Sequence, residues 1–354
     1  MNLKDKTTIK FPFIISLAAF IIAIAGFIYG ASLITPILMA LFISIICTQP
    51  ITYLMKKKVP QGLAVLIVFT LLIAIFFGFG ELIGSSLSSF SKNAGIYEEN
   101  LNKIGTSFIS FFNDLGFDIS FDKMKGLMEP AKIMGVTAGA LGELGGFMGN
   151  LLTILFLVLF LLLELDDIAI KVKAILKDYS ANYSFFDTIA RNIRHYLSIK
   201  TLTSLLTGIV LWIILAIIGV DYAILWGLIA FLLNYIPTIG SFIAAFPAVL
   251  FALVQLGFGG ALATLIAFVV VNMIIGSIVE PKLMGQGLGL STAIVFVSLI
   301  FWGFVFGTVG MFLSVPLTMT MKIILEQNPK TKWIAIVLGT KKDAQAMINE
   351  NESN

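Results

Sequence analysis

Ionisable side chains inside apolar stretches are the residues of this sequence best suited to chemistry. Glu280 and Lys282 flank Pro281 at the end of one such stretch. A charged side chain at membrane depth is costly, so it counts as a functional candidate by default. Glu280 is the best candidate to exchange a proton or bind a coupling cation, with Lys282 as its counter-charge. The alternative is a structural ion pair that fixes the loop.

Neutral polar side chains form a second candidate set. They lie in otherwise apolar stretches and comprise Asn234, Thr238, Ser241, Asn272 and Thr308. Such groups could hydrogen-bond a small hydroxylated solute, or bind Na⁺ together with backbone carbonyls freed at a helix break. The alternative is ordinary hydrogen bonding between helices, which we favour for Asn272 because it lies in the middle of its stretch.

Broken helices must position these polar groups, because Pro and Gly interrupt the stretches that carry them. The apolar run Tyr222–Val254 would be roughly 50 Å long as one straight helix, against a hydrocarbon core of ~30 Å. Pro237 lacks an amide proton and Gly240 tolerates unusual backbone angles, so we predict a broken helix or helical hairpin there. A second overlong run, Ser291–Met321, must turn back near Gly303–Gly307 if the loop before it is cytoplasmic.

The two overlong runs share a short pattern. T-I-G-S-F begins at Thr238 and T-V-G-M-F begins at Thr308, and each is followed within a few residues by proline. Chance similarity is one explanation in such apolar sequence. If the similarity is real, it indicates two similar hairpins that face a shared site. Gly303 and Gly310 therefore join Pro237 and Gly240 as candidate binding or gating residues.

Composition predicts an all-α polytopic membrane protein. Of 354 residues, 58% are hydrophobic and only 12% are charged, with mean hydropathy +1.01; soluble proteins carry about 25% charged residues. The single cysteine, Cys47, excludes an internal disulfide, and the single histidine, His195, excludes a multi-histidine metal site. Because no phosphate-binding loop or nucleophile motif is present either, we expect no metal, no cofactor and no enzymatic activity.

Charge placement predicts the topology. Lys56, Lys57 and Lys58 mark a cytoplasmic turn, and lysines near both ends of the chain place both termini in the cytoplasm. The predicted segments are an N-terminal three-helix membrane scaffold at 1–84, an external polar and amphipathic segment at 85–147, a fourth span with cytoplasmic interfacial helices at 148–198, a transport core with broken helices at 199–325 and a cytoplasmic tail at 326–354.

Part of the external segment should form an amphipathic helix that packs onto the bundle or a sister subunit. Asp221 should cap the helix that follows it.

Several sequence blocks resemble the autoinducer-2 exporter (AI-2E) family of bacterial membrane proteins. They are N-Y-I-P-T-I-G-S from Asn234, P-A-V-L from Pro247, I-V-E-P-K-L-M-G from Ile278, W-G-F-V-F-G-T-V-G-M from Trp302 and V-P-L-T from Val315. The resemblance implies about eight membrane spans in the bacterial inner membrane and a transport function. The substrate autoinducer-2 need not hold for every member, since some relatives are credited with sodium or proton antiport.

The sequence thus predicts a secondary transporter that exports a small polar metabolite or signal by alternating access. The first alternative is a sodium or other cation/proton antiporter. The second is a non-transporting oligomeric scaffold or a channel, because glycine-rich faces leave room for a homo-oligomer. The expected partners are a small-molecule or ion substrate and membrane lipid, with no nucleic acid.

Overall fold

The computed structural model describes residues 10–114, 151–164, 180–284 and 289–341, with residues 167, 170, 171, 174, 344 and 345. Within these residues every regular element is a helix, which confirms the all-α prediction for this part of the chain. In chain order the elements are α1 Lys10–Tyr29, α2 Ala31–Lys56, α3 Gln61–Lys92, α4 Ala94–Asp114, α5 Leu151–Leu163, α6 Ser180–Ile218, α7 Ala223–Leu233, α8 Ile239–Ile274, a π-helix Ile275–Val279, α9 Glu280–Met284, α10 Thr292–Glu326 and α11 Lys332–Leu338. Residues 115–147 of the predicted external segment and 346–354 of the predicted tail lie outside the described residues.

Length and apolarity make this a multi-pass membrane protein. Among the described residues, five helices are long and apolar enough to cross a membrane. They are Ala31–Lys56, Gln61–Ser86, Thr188–Ile218, Ile239–Met284 and Thr292–Glu326. The last two are not straight, because Gly257 (φ 74°) and Gly307 (φ 63°) interrupt them with backbone angles that glycine readily adopts. We therefore treat α8 as two arms, residues 239–256 and 258–274, and α10 as two arms, residues 292–306 and 308–326.

The contacts divide the chain into two compact units. Unit 1 combines Met1–Ser44 with Gly289–Asn354, and unit 2 is Ile45–Leu288. The five-segment division predicted from the sequence stays a prediction, because it is defined by membrane sidedness and not by contacts.

Unit 2 is built on the packing of α6, α7 and α8. The helices α6 and α7 cross at Gly208 and Gly227, where a Cβ on either glycine would lie 2.8 Å or 2.6 Å from the other's carbonyl oxygen. Small residues allow this approach, as they do in many membrane helix pairs. Trp226 and Phe251 fill the adjacent core, with ring centroids 5.7 Å apart.

Unit 1 contains α1, α10 and α11. Phe27 of α1 contacts Phe306 of α10 edge to face, with 6.0 Å between ring centroids. The Ser291 hydroxyl caps α10 by accepting from the amide of Ile294 at 3.3 Å. The Ser291 amide in turn donates to the carbonyl of Leu338 at the end of α11, which attaches that short helix to the start of α10.

Two local expectations differ from the structure. Asp221 does not cap α7: the cap residue is Tyr222, with φ 58° and no side-chain capping bond. The Asp221 carboxylate instead accepts from the hydroxyl of Tyr97 on α4 at 3.4 Å, and α4 packs on α8 as the amphipathic pattern predicted. Burial raises the pKa of Tyr97 above its ordinary value, so its hydroxyl stays protonated and donates. The second difference is α6, a single helix from Ser180 to Ile218 where the interfacial helices were expected to end at residue 198, because no Gly or Pro lies near that position.

Candidate functional site

The backbone break between α7 and α8 is a strained turn. Residues 234–238 lie outside the helices, and the amide of Ile239 donates to the carbonyl of Pro237 at 2.6 Å. Thr238 between them has φ 61° and ψ −55°, the backbone of a γ-turn with positive φ, which is rare and strained. A β-branched residue in this conformation is an outlier that costs about 1–3 kcal/mol, and such residues cluster at functional sites.

Gly240 closes this hairpin immediately after the turn. A Cβ at Gly240 would lie 1.8 Å from the carbonyl oxygen of Leu233, the last residue of α7. No side chain fits there without displacing backbone. The predicted break in the helix is confirmed at Pro237, whereas Gly240 itself lies in the first turn of α8 and is the point of closest approach to α7.

A stripe of buried polar side chains runs along α6 and faces the elements that follow it. The polar stripe comprises Lys200, Thr203, Ser204 and Thr207, all buried. Their spacing of three and four residues places them on one face of the helix. Such a face is unusual in an apolar bundle, because buried polar groups need partners.

The middle of the polar stripe holds the broken backbone. Asn234 Nδ2 donates to Ser204 Oγ at 3.0 Å, and both residues are buried. Beside it the hydroxyl of Tyr235 lies 2.9 Å from Thr201 Oγ1. These bonds fix the non-helical segment against α6.

The end of the polar stripe at Thr207 opens into a narrow cleft between α6, α7 and α8. Ser241 Oγ donates to Asn272 Oδ1 at 2.8 Å and joins the two arms of α8. The cleft encloses about 190 Å³ including its open mouth, and it is too narrow for a water molecule. Its lining is half polar and half apolar: Thr207, Ser241 and Asn272 against Leu211, Ala230 and Phe268. Asn272 thus makes the interhelical bond favoured from the sequence.

The other end of the polar stripe holds a buried ion pair. Lys200 Nζ donates to both carboxylate oxygens of Glu280, at 2.7 Å and 2.9 Å, and Thr203 Oγ1 donates to Oε2 at 3.3 Å. The side chains of Lys200 and Glu280 are only 5% and 15% exposed. Lys282, the counter-charge expected from the sequence, is exposed, and Lys200 pairs with Glu280 instead.

A π-helix separates the cleft from the ion pair. Ile275–Val279 lies between Asn272 and Glu280, and its backbone hydrogen bonds join residues five apart instead of four. Such segments are rare and often mark functional sites, since they carry an extra residue within a helix. Gly276 lies on it, where a Cβ would be 3.1 Å from Asn272 Oδ1.

The remaining predicted residues lie in unit 1, around the reversal of α10 at Gly307. A Cβ at Gly310 would lie 1.9 Å from the carbonyl oxygen of Trp302, and one at Gly303 would meet the side chain of Met311 at 2.9 Å. Trp302 Nε1 donates to Thr318 Oγ1 at 2.9 Å across the two arms. Thr308 is exposed, and so is Thr238 in unit 2.

Sequence reasoning missed the polar stripe of α6. The run K-T-L-T-S-L-L-T from Lys200 to Thr207 carries the required helical spacing, so the signal was present. Its partners lie 30 to 80 residues away in sequence, and the antiparallel register that brings them together is not readable from spacing. Within the described residues no group of three His, Cys, Asp or Glu side chains could hold a metal ion.

The membrane-length apolar helices define a multi-pass membrane protein, and unit 2 of this protein contains a buried polar stripe. Residues 17–330 match the family described as "AI-2E family transporter", and the chain belongs to this family. It is 39% identical to a Haemophilus influenzae protein named "Putative transport protein", over 93% of this chain and 97% of the relative. It is 36% identical to the Escherichia coli K12 "AI-2 transport protein TqsA", over 92% of this chain and 94% of that protein. Both names support a transport protein and not an enzyme.

Proposed function

We propose that this protein is a secondary transporter that exports a small polar, hydroxylated solute from the bacterial cytoplasm by alternating access. The polar stripe of α6 is the single observation that carries the proposal. Family membership supplies the transport function, and the name of the E. coli relative makes an autoinducer-2-like solute the first candidate.

Helix lengths support a membrane arrangement for this transporter. We propose about eight segments with cytoplasmic termini, in which α7 with the first arm of α8 forms a re-entrant hairpin. The 11 residues of α7 measure roughly 16 Å, about half of the ~30 Å hydrocarbon core. Both ends of this hairpin lie together, because Gln255 Nε2 donates to the carbonyl of Gly219 at 3.1 Å. Broken backbone at that depth is tolerated where it is buried in protein, and Asn234 and Tyr235 are buried.

The closed cleft admits no water molecule, but its polar side chains would offer hydrogen-bond partners to a solute once it opens. Ser241 and Asn272 satisfy one another in this closed state. A hydroxylated solute that inserted between them would replace one weak bond with two or more, at little cost. Separation of the two arms of α8 would expose the cleft, and its closure would exclude water.

A saturable flux is the direct test. Purified protein in proteoliposomes should carry autoinducer-2 or a small polyol down its gradient with a measurable half-saturating concentration. Ser241→Ala should raise that concentration by up to ~tenfold, because one hydrogen bond contributes about 0.5–1.5 kcal/mol. The matched control is Ser298→Ala, since the buried Ser298 hydroxyl donates within its own helix to Val295 at 2.8 Å. A scaffold gives no saturable flux, and a channel gives flux without saturation.

Cation/proton antiport is the second candidate, and the buried Lys200–Glu280 pair favours it. A cation that binds the Glu280 carboxylate would take the place of the Lys200 ammonium, and Lys200 would lose one proton and become neutral, so that one cation is exchanged for one proton. A Na⁺ pulse to proteoliposomes that contain a pH dye should then produce proton movement, and Glu280→Gln should abolish it. The control is Lys282→Met, which removes an exposed charge from the same short helix. A pulse that moves no protons excludes this candidate.

A further inference from the structure

The polar and apolar residues of the cleft lie at different depths. Leu211 follows Thr207 by one turn of α6, and Phe268 precedes Asn272 by one turn of α8. The helix α6 runs away from the Lys200–Glu280 pair, whereas the second arm of α8 runs from Gly257 toward it. Leu211 and Phe268 therefore both lie farther from that pair than Thr207 and Asn272 do. The polar side of the cleft therefore faces the ion pair, and its apolar side faces the opposite end of unit 2.

That opposite end is closed by its own hydrogen bonds. Gln255 Oε1 accepts from the amide of Asp221 at 2.8 Å, and Gln255 Nε2 donates to the carbonyl of Gly219. These bonds join the α6–α7 turn to the reversal of α8 at Gly257. Leu211 and Phe268 lie between this end and the polar side of the cleft.

Both apolar side chains are packed tightly. Leu211 is 1% exposed and Phe268 is 3% exposed, and both belong to the central apolar cluster of unit 2. A hydroxyl that passes between such side chains without a hydrogen-bond partner costs roughly 2 kcal/mol or more. A polar solute in the cleft therefore meets an apolar layer that is about one helix turn thick.

A polar group without a partner lies beyond this barrier. Thr264 is on the same face of α8 as Phe268 and Asn272, at successive steps of four residues. It is fully buried, and its Oγ1 has no hydrogen-bond partner among the described residues. A buried unsatisfied hydroxyl costs about 1–3 kcal/mol and is rare, so its position calls for a reason.

We propose that Leu211 and Phe268 form the gate of the transport path, and that Thr264 is the next hydrogen-bonding position for the solute beyond it. The inference rests on the proposed function for its solute, a small hydroxylated molecule. The path then runs from the polar stripe through the cleft, past one apolar layer, to Thr264. Thr264 is a specificity residue because it favours solutes that can bond to its hydroxyl.

Leak through the gate is measured with radiolabelled erythritol in proteoliposomes of the full chain. Phe268→Ala should raise gradient-driven erythritol leak by about tenfold, because removal of the ring opens the apolar layer. The matched control is Phe251→Ala, which removes an equally buried ring (3% exposed) packed against Tyr97 and Trp226, outside the cleft. Leak that is no greater in Phe268→Ala than in Phe251→Ala would refute the gate. If either alanine variant fails to fold, the same comparison is made between Phe268→Leu and Phe251→Leu.

Thr264→Val tests the second half of the proposal with nearly constant side-chain volume. It should lower saturable autoinducer-2 flux about threefold while the melting temperature stays equal or rises, because an unsatisfied buried hydroxyl is removed. Unchanged flux with a higher melting temperature would mean a purely structural hydroxyl and would contradict the assignment. A wild-type protein without saturable flux for any solute, beside a leaking Phe268→Ala, would refute the proposed function but leave the gate standing.

Discussion

Two helical hairpins of this protein share one sequence pattern and one close contact. The first hairpin is α7 with the first arm of α8, in unit 2; the second hairpin is the two arms of α10, in unit 1. In the first, a Cβ at Gly240 would lie 1.8 Å from the carbonyl oxygen of Leu233. In the second, a Cβ at Gly310 would lie 1.9 Å from that of Trp302. The glycine of each T-x-G-x-F pattern is therefore the point where one arm meets the backbone of the other.

The turns of the two hairpins differ. The first hairpin leaves residues 234–238 outside the helices and holds Thr238 at φ 61°. The second hairpin reverses at the single residue Gly307, at φ 63°. Positive φ is strained for threonine and readily adopted by glycine. Only the first hairpin therefore stores strain at its tip.

The hydrogen bonds of the two hairpins also differ. The first hairpin bonds outward, from Asn234 to Ser204 and from Tyr235 to Thr201 on α6. The second hairpin bonds to itself, from Trp302 to Thr318. The shared pattern thus fixes how closely the arms approach, whereas residues outside the pattern decide whether a hairpin presents polar groups to its neighbours.

The shared close contact should produce the largest effects. Gly240→Ala and Gly310→Ala should each lower the free energy of unfolding by more than ~3 kcal/mol, because the new Cβ overlaps a backbone carbonyl that cannot rotate away. Size-exclusion chromatography of the detergent-solubilised protein after heating reports the loss as a lower melting temperature or as aggregation.

The controls for these variants are glycines with open space around them. Gly259→Ala in unit 2 and Gly26→Ala in unit 1 place a Cβ with nothing within 4 Å, so both should be nearly neutral. A stable Gly310→Ala beside an unstable Gly240→Ala would show that the shared pattern has no common structural role.

Sequence patterns predicted the backbone of these hairpins better than their chemistry. Pro237 and Gly240 carry their own conformational limits, so the first break could be read directly, and the second reversal fell at the predicted Gly303–Gly307. The partner of Glu280 could not be read, because Lys200 lies 80 residues earlier and meets it only through the antiparallel packing of α6 and α8. Asp221 was predicted wrongly for a related reason: its tertiary partner Tyr97 displaced the local capping role.

The outward and inward hydrogen bonds should differ in strength. Asn234→Ala should cost about 1–3 kcal/mol, because it leaves the buried Ser204 hydroxyl without its partner. Trp302→Phe should cost about 1 kcal/mol, the low end of that range, because it also leaves a buried hydroxyl, that of Thr318, without this donor, whereas Trp302 itself is only half-buried. A double-mutant cycle of Asn234→Ala with Ser204→Ala isolates the bond, and a coupling energy near zero would remove it as the link between hairpin and α6.

Substitutions of the threonines at the two tips should produce the smallest effects, of opposite sign. Thr238→Gly should raise the free energy of unfolding by up to ~1 kcal/mol, because glycine adopts positive φ without strain. Thr308→Gly should lower it by roughly 0.3–0.5 kcal/mol, because Thr308 is helical and glycine is the poorer helix former. Thr238→Ala is the control: it removes the hydroxyl and the branch but keeps a Cβ at positive φ, so it should recover only part of the gain. A loss of stability in Thr238→Gly would show that the threonine side chain stabilises the turn by more than its strain costs, and the first hairpin would then differ from the second in polar contacts alone.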